Sequence, residues 1–248
     1  DEAQVDRYAT LVEVLMAAAR EGGRGEHEIA CEVLSTMPYP LGRVVARYGL
    51  GRFRVTQKAD LDRSDDVYRP ENACPEDWIL MGNHDTPSIH AVAEGWIADG
   101  TAGRRAEALA DRLLAPGEDR AEFVRRTAAS REALVQATFA DLFVGPARNV
   151  VVSFGDLLGE QEPFNRPGTV SPENWSLRVP PTFRRVYAER LATGRALDVP
   201  RALARALRAR PGADGAHRPL VEALERASGW AGEGRPSPTA PRAHTPQV

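Results

Sequence analysis

Asn83, His84 and Asp85 stand side by side in the stretch MGNHDTPSIH, residues 81–90, behind an apolar run and ahead of a helical pattern. Three chemistries use such a triplet. His with Asp or Asn can ligate metal ions in a binuclear hydrolytic centre. Asn, Asp and Gly also favour turns, and Asp85 with Thr86 and Pro87 could simply cap the next helix. Finally, His and Asp can grip sugar hydroxyls. Retaining glycoside chemistry needs one nucleophilic carboxylate and a second that acts first as acid, then as base. Glu32, at the end of another short apolar run, is a candidate for that second group.

The metal alternative requires further ligand motifs: a DxH upstream, a GDxxD-type element before the GNHD string and a GHxH near the end. None occupies those places. The FGD at 154–156 follows the motif, and His217 and His244 lie in weak contexts.

The elements that must position these residues follow from periodicity. Val5, Tyr8, Leu11, Val12, Leu15 and Met16 recur at helical spacing over 5–20, and GGRG at 22–25 ends that helix. Ile29 to Cys31 is a short strand ending in Glu32. Pro38 and Pro40 open a helix that Gly49 stops. RFRVTQKADL, 52–61, predicts a second strand, WILM, 78–81, a third, and NVVVSF, 149–154, a fourth. Helices are predicted over 88–98, 103–115, 118–127 and 130–143. A turn-rich passage from Gly155 leads to two more helices at 181–192 and 198–209. Short strands separated by helices predict an α/β fold with a parallel sheet, whose chemistry gathers beyond the carboxyl ends of the strands. Those ends carry Glu32, Gln57, and His84 with Asp85, followed by the GDLLGE run.

Composition narrows the classes. A net charge of -3 over 248 residues leaves no basic footprint for nucleic acid. Cys31 and Cys74 form neither a disulfide framework nor a CxxC zinc pair, so a reducing, cytoplasmic setting is expected. No stretch reaches the length of a membrane span. Residues 228–248, rich in Pro, Gly and Ser, are expected to be a disordered tail behind a catalytic unit spanning 1–227. The chain opens on Asp1 rather than methionine, which suggests a piece of a longer polypeptide.

Several ordered blocks together resemble the amylomaltases, the 4-alpha-glucanotransferase or disproportionating-enzyme family of glycoside hydrolases. IACEVLST resembles the family's strand-five segment, RYGLGRFRVTQ its strand-six segment and MGNHDT its strand-seven segment. EPFNRPGTVSPENWSLR is similar to its carboxyl-terminal signature, carried here by Asn165, Pro167, Gly168, Thr169, Asn174, Trp175 and Arg178. Cys31 and Val33 stand where Ala and Asp are usual, and Asn83 where Thr is common, which marks a divergent branch. The resemblance covers about residues 5–192.

The resemblance implies a (β/α)8 TIM barrel, of which this chain is the carboxyl-terminal half, strands five to eight. It implies Glu32 as general acid/base, Asp85 as transition-state stabiliser and His84 as a substrate-gripping residue, with no metal or organic cofactor. The substrates implied are alpha-1,4-glucans and maltodextrins. The family nucleophile is an Asp in an R-x-D context at the end of strand four, and no such element precedes Glu32; Asp6 and Glu13 belong to the helical pattern. Half a barrel leaves open sheet edges, so the chain is expected to need the other half. Asn83, Gln57, Asn165 and Trp175 are further substrate-binding candidates, although a strand-end amide such as Gln57 equally serves structure and Trp175 equally fills a core. Arg178 is expected to brace its loop through a salt bridge. His90 is expected to be a helix residue, and Cys31 a buried, inert thiol. A non-catalytic glucan-binding fragment is the alternative from a different class.

Overall fold

The computed structural model describes residues 1–33, 36–210 and 217–229, so the tail expected from 228 lies almost wholly outside the described residues. Four strands, β1 (Ala30–Cys31), β2 (Gly51–Val55), β3 (Trp78–Leu80) and β4 (Asn149–Val150), form one sheet in sequence order. Every neighbouring pair is parallel, with Cys31 opposite Arg52, Val55 opposite Leu80 and Ile79 opposite Val150. Parallel strands in consecutive order require a crossover of the same sense each time, as a barrel wall does.

Two strands are shorter than their sequences suggest. β2 stops at Val55 because the chain tightens into a 3-10 turn at Thr56–Lys58, with Gln57 N–H bonded to the Met81 carbonyl at 3.1 Å. β4 stops at Val150, and one more ladder bond, Val151 N–H to the Ile79 carbonyl at 2.9 Å, precedes departure from the sheet. There Ser153 caps a five-residue helix, over the start of the stretch expected to be turn-rich. A helix that short contains too little periodicity to announce itself.

Helix α1 (Glu2–Glu21) starts with a reciprocal capping box between Asp1 and Gln4. It packs on α2 (Tyr39–Arg47) through Val5, Ala9 and Val44, with Tyr48 at the margin. The crossover from β1 to β2 therefore contains a helix. The crossover from β2 to β3 has only 3-10 turns and an Asp-rich loop, as the sequence between the two strands suggests.

Between β3 and β4 lie α3 (Ile89–Ala98), α4 (Ala102–Leu113), α5 (Arg120–Ala129) and α6 (Arg131–Asp141). Their apolar faces meet the sheet around Ile79, Met81, Phe139 and Leu142 in the main core. After β4 come the short α7 (Phe154–Leu158), then α8 (Phe183–Ala192), α9 (Val199–Ala209) and α10 (Arg218–Ala227). Leu197 and Ala202 carry α9 into the same core.

Two features lock the register. Arg54 and Asp77 form a buried ion pair across the start of the β2–β3 ladder, and Asp77 also accepts the N–H groups of Arg52 and Cys74 at 3.1 and 2.7 Å. Satisfying each carboxylate oxygen in this way is what makes such a buried charge tolerable. Gly51 lies so close to the neighbouring loop that a Cβ there would sit 1.6 Å from the Glu76 carbonyl oxygen. Only glycine lets the two backbones approach so closely.

Candidate active site

The loop after β3 is a compact turn held by its own side chains. Asn83 N–H donates to Thr86 Oγ1 at 2.9 Å, Thr86 N–H donates to the Asn83 carbonyl at 3.2 Å, and Asn83 Oδ1 accepts from Asp85 N–H at 3.1 Å. The helix cap is Ser88, whose hydroxyl accepts from Ala91 N–H, not the Asp85–Pro87 segment. The turn thus occupies Asn83 and Thr86 and leaves His84 and Asp85 projecting. His84 is exposed and Asp85 half-buried.

Three distant groups fix that turn from outside. Gln57 is 9% exposed and donates through Nε2 to the Pro87 carbonyl at 3.1 Å. Its amide therefore braces the loop from below. Asp156, buried at the start of α7, accepts Ile89 N–H at 2.9 Å through Oδ1, and its carbonyl bonds His90 Nε2 at 3.0 Å. Burial pushes the Asp156 carboxyl up to about 6, and pushes the His90 imidazole down. His90 is a helix residue, as expected.

The third brace comes from the segment carrying the PGT and NW residues. Asn165 N–H donates to the His84 carbonyl at 3.0 Å, and Asn165 Nδ2 donates to Asp85 Oδ1 at 2.6 Å. Trp175 then folds back onto the loop: its N–H donates to the Phe164 carbonyl at 2.7 Å, and its ring lies 5.1 Å from the His84 ring, tilted by 37°. Trp175 holds a left-handed backbone, φ 62°, an unfavourable conformation for a bulky residue. It is 54% exposed, so it fills no core.

Arg178 supports this conformation by donating to the carbonyls of Trp175 and Leu177 at 2.6 and 2.9 Å. It braces the loop as expected, but through backbone carbonyls and not a salt bridge. Asn174 ties the same segment together, accepting from Arg166 N–H and donating to Thr169.

These residues border an open cleft of about 500 Å³ lined by His84, Trp175 and Arg178 with Phe154, Phe164 and Val179. Phe154 and Phe164 pack edge to face at 4.6 Å. The phenylalanines are participants that sequence reasoning missed; the only signal was the position of Phe164 immediately before Asn165.

Glu32 stands apart from this group. It directly follows β1 and is exposed, at the carboxyl edge of the sheet and two strands from β3. Neighbouring strands lie about 4.8 Å apart, so roughly 10 Å separates the axes of β1 and β3. Among the described residues Glu32 has no hydrogen-bond or ion-pair partner. Leu34 and Ser35, in the same block, lie outside the described residues. Cys31 is half-buried, and burial raises its thiol pKa, consistent with an unreactive side chain.

Among the described residues no three His, Cys, Asp or Glu side chains converge as a metal site. The binuclear-metal alternative therefore lacks its ligand set there. No described helix is long and apolar enough to cross a membrane.

Comparison with known proteins gives the site a context. No curated protein matches the chain significantly. The amylomaltase from Corynebacterium glutamicum aligns with a TM-score of 0.50 at 19% identity, over 76% of this chain and 31% of its own. The amylomaltase from Streptococcus agalactiae, solved in complex with acarbose, aligns with a TM-score of 0.47 at 17% identity, over 68% of this chain and 32% of its own. The chain thus spans about a third of the length of these two structures. At such identity the first likeness speaks for the fold, an α/β fold with a parallel sheet. A family model described as 4-alpha-glucanotransferase matches residues 2–183. On that match, which takes in the NHD loop and the PGT–NW segment packed against it, this chain belongs to the 4-alpha-glucanotransferase family.

Proposed function

We propose that this chain supplies the acid/base side of a glucan-transfer site, with the nucleophile lying outside it. In this reading β1 to β4 correspond to strands five to eight of a (β/α)8 barrel, and residues 1–227 form the half-barrel with its carboxyl-terminal helices. The substrates are alpha-1,4-glucans and maltodextrins, and the setting is cytoplasmic.

The chemistry is a retaining double displacement. An Asp on a preceding strand attacks the anomeric carbon, while protonated Glu32 donates to the departing glycosidic oxygen. The 4-hydroxyl of an acceptor glucan then attacks the glycosyl-enzyme, returning its proton to Glu32 and restoring the Asp. Asp85 offsets the positive charge that develops on the ring, and His84 holds ring hydroxyls. No step calls for a metal or an organic cofactor.

The observation that carries this proposal is the pairing of Asn165 with Asp85. It leaves one carboxylate oxygen aimed by a fixed donor, beside a histidine that rests on an exposed tryptophan. An ionised carboxylate held in a set direction is the kind of preorganised group that stabilises a charge forming in the transition state. An indole face beside it suits a pyranose ring.

The test is maltotriose incubated with the enzyme containing this chain, followed by chromatography. Glucose plus longer maltodextrins, abolished by Glu32→Gln, is the expected result. Undiminished disproportionation in Glu32→Gln would remove Glu32 from the acid/base role. No products, with retained maltodextrin binding, would favour a glucan-binding role instead.

A further inference from the structure

A second cavity lies on the helical side of the sheet, between the turn after β2 and helices α3, α4 and α6. Its volume is about 110 Å³, room for roughly three to four waters. What distinguishes it is a surplus of unused donors. Thr56 is 6% exposed and its hydroxyl has no hydrogen-bond partner. Arg112 Nη2 is likewise buried and unpartnered.

The carboxylates of the cavity are already engaged. Asp141 accepts Arg112 Nε at 2.5 Å, and Glu71 takes Arg69 at 2.8 Å and Arg112 Nη1 at 3.3 Å. Asp111 pairs outward with Arg120 at 2.7 Å. Arg105 has no such partner among the described residues. Its guanidinium lies 4.6 Å from the centre of the Trp96 ring, which lines the same cavity. Burial, followed by repulsion from Arg104, lowers its pKa, and only Asp60 and Asp99 act against this. Arg120 is shared between Asp111 and Glu107, so the charges around the cavity balance, and Arg105 is the lining guanidinium that no described carboxylate meets at ion-pair distance.

We propose that this cavity binds a small oxyanion of phosphate or carboxylate size, through Arg105, Arg112 Nη2 and the Thr56 hydroxyl. Such an ion gives Arg105 a counter-ion and accepts hydrogen bonds from donors that are otherwise costly to bury. The site is separate from the glucan cleft and does not depend on the reading given to it. It touches the same scaffold, because Thr56 directly precedes Gln57, the residue that holds the loop of His84 and Asp85.

Inorganic phosphate and acetate, each titrated at constant ionic strength against chloride, test the site by calorimetry on the enzyme containing this chain. The expected result is one saturable site per chain for phosphate or for acetate, with Kd on the order of 1 mM. The better-bound ion identifies the ligand class. Arg105→Gln, a change on a partly exposed helix position, should weaken binding at least tenfold without altering the circular dichroism spectrum. Thr56→Val should weaken it as well. Absence of saturation with both ions, or unchanged affinity in Arg105→Gln, would overturn the proposal and leave a water-filled void.

Discussion

Asn165 Nδ2 and Asp85 Oδ1 meet at 2.6 Å although 80 residues separate them in the chain. The same asparagine donates its backbone N–H to the His84 carbonyl. One residue of the carboxyl-terminal segment thus sets both the path of the NHD loop and the direction of its carboxylate.

Replacing Asn165 by Ala should therefore affect chemistry more than folding. The contact is only partly buried, so its loss should cost about 1 kcal/mol of stability. Loosening a group that must face the transition state should lower kcat by about 10²-fold, with KM for maltotriose little changed. Steady-state kinetics beside a denaturant melt separates the two effects. An equal loss through KM would mean that Asn165 serves ground-state binding.

At position 175 the backbone itself makes a prediction. The left-handed conformation of Trp175 costs a non-glycine residue on the order of 1 kcal/mol, and its ring is exposed, so little packing offsets that cost. Trp175→Gly should be more stable than Trp175→Ala by about 1 kcal/mol, as glycine adopts this conformation freely. Both should raise KM for maltodextrins, because both remove the ring resting on His84. Thermal melts of the pair check the first statement, and initial rates the second.

Asp156 and Asp141 both have carboxyl pKa values raised to about 6 by burial, and their substitutions should differ in size. For each, the folded-state value lies above the unfolded one of 3.8, so the native state holds the proton more tightly. Below about pH 4 both states are protonated and the group contributes nothing. Stability then falls as pH rises to about 6 and stays reduced above it, by at most about 3 kcal/mol per group. Asp156→Asn keeps an acceptor for Ile89 N–H without the charge. It should stabilise the protein at pH 7.5 and be neutral at pH 4. Asp141→Asn also removes the charge, but it takes a carboxylate acceptor from Arg112 Nε, so its gain at pH 7.5 should be smaller than that of Asp156→Asn. Urea melts across this pH range decide both.

Glu32 is distinguished by what rescues it. In the enzyme containing this chain, Glu32→Ala should lower turnover of maltotriose by 10²–10⁴-fold, the usual worth of a general acid. Azide should restore turnover of an aryl maltoside with a good leaving group, yielding a glycosyl azide of retained configuration, because that donor needs no protonation to depart. Rescue fails if Glu32 is merely a surface carboxylate, since then the substitution has no defect to repair.

How much of this was legible in advance depends on the range of the forces involved. Helix α1, the parallel strands and the helices around Leu109 and Phe139 were readable, because apolar spacing records which face each element buries. The MGNHDT and PGT–NW blocks marked the candidate site and led to the family. Residues 83–86 form a turn through bonds that span no more than three residues, within reach of sequence reasoning. The ends of β2 and β4 were not readable, because a strand stops where its neighbour's ladder stops. Nor was the helix of Phe154–Leu158, too short for its periodicity to show.

Sequence by itself determined the inventory: short parallel strands, the polar groups at their ends, and the order of motifs that makes this a 4-alpha-glucanotransferase family member. Tertiary structure decided what each group does. It turned Gln57 inward to hold Pro87, gave the helix cap to Ser88, and set Asn165 on Asp85 and Trp175 on His84. It also gathered Thr56, Arg105 and Arg112 around a cavity that no motif announces. The physical reason is distance along the chain. Local propensity is settled within a few residues, whereas a hydrogen bond between positions 85 and 165 exists only after the sheet and its helices have packed.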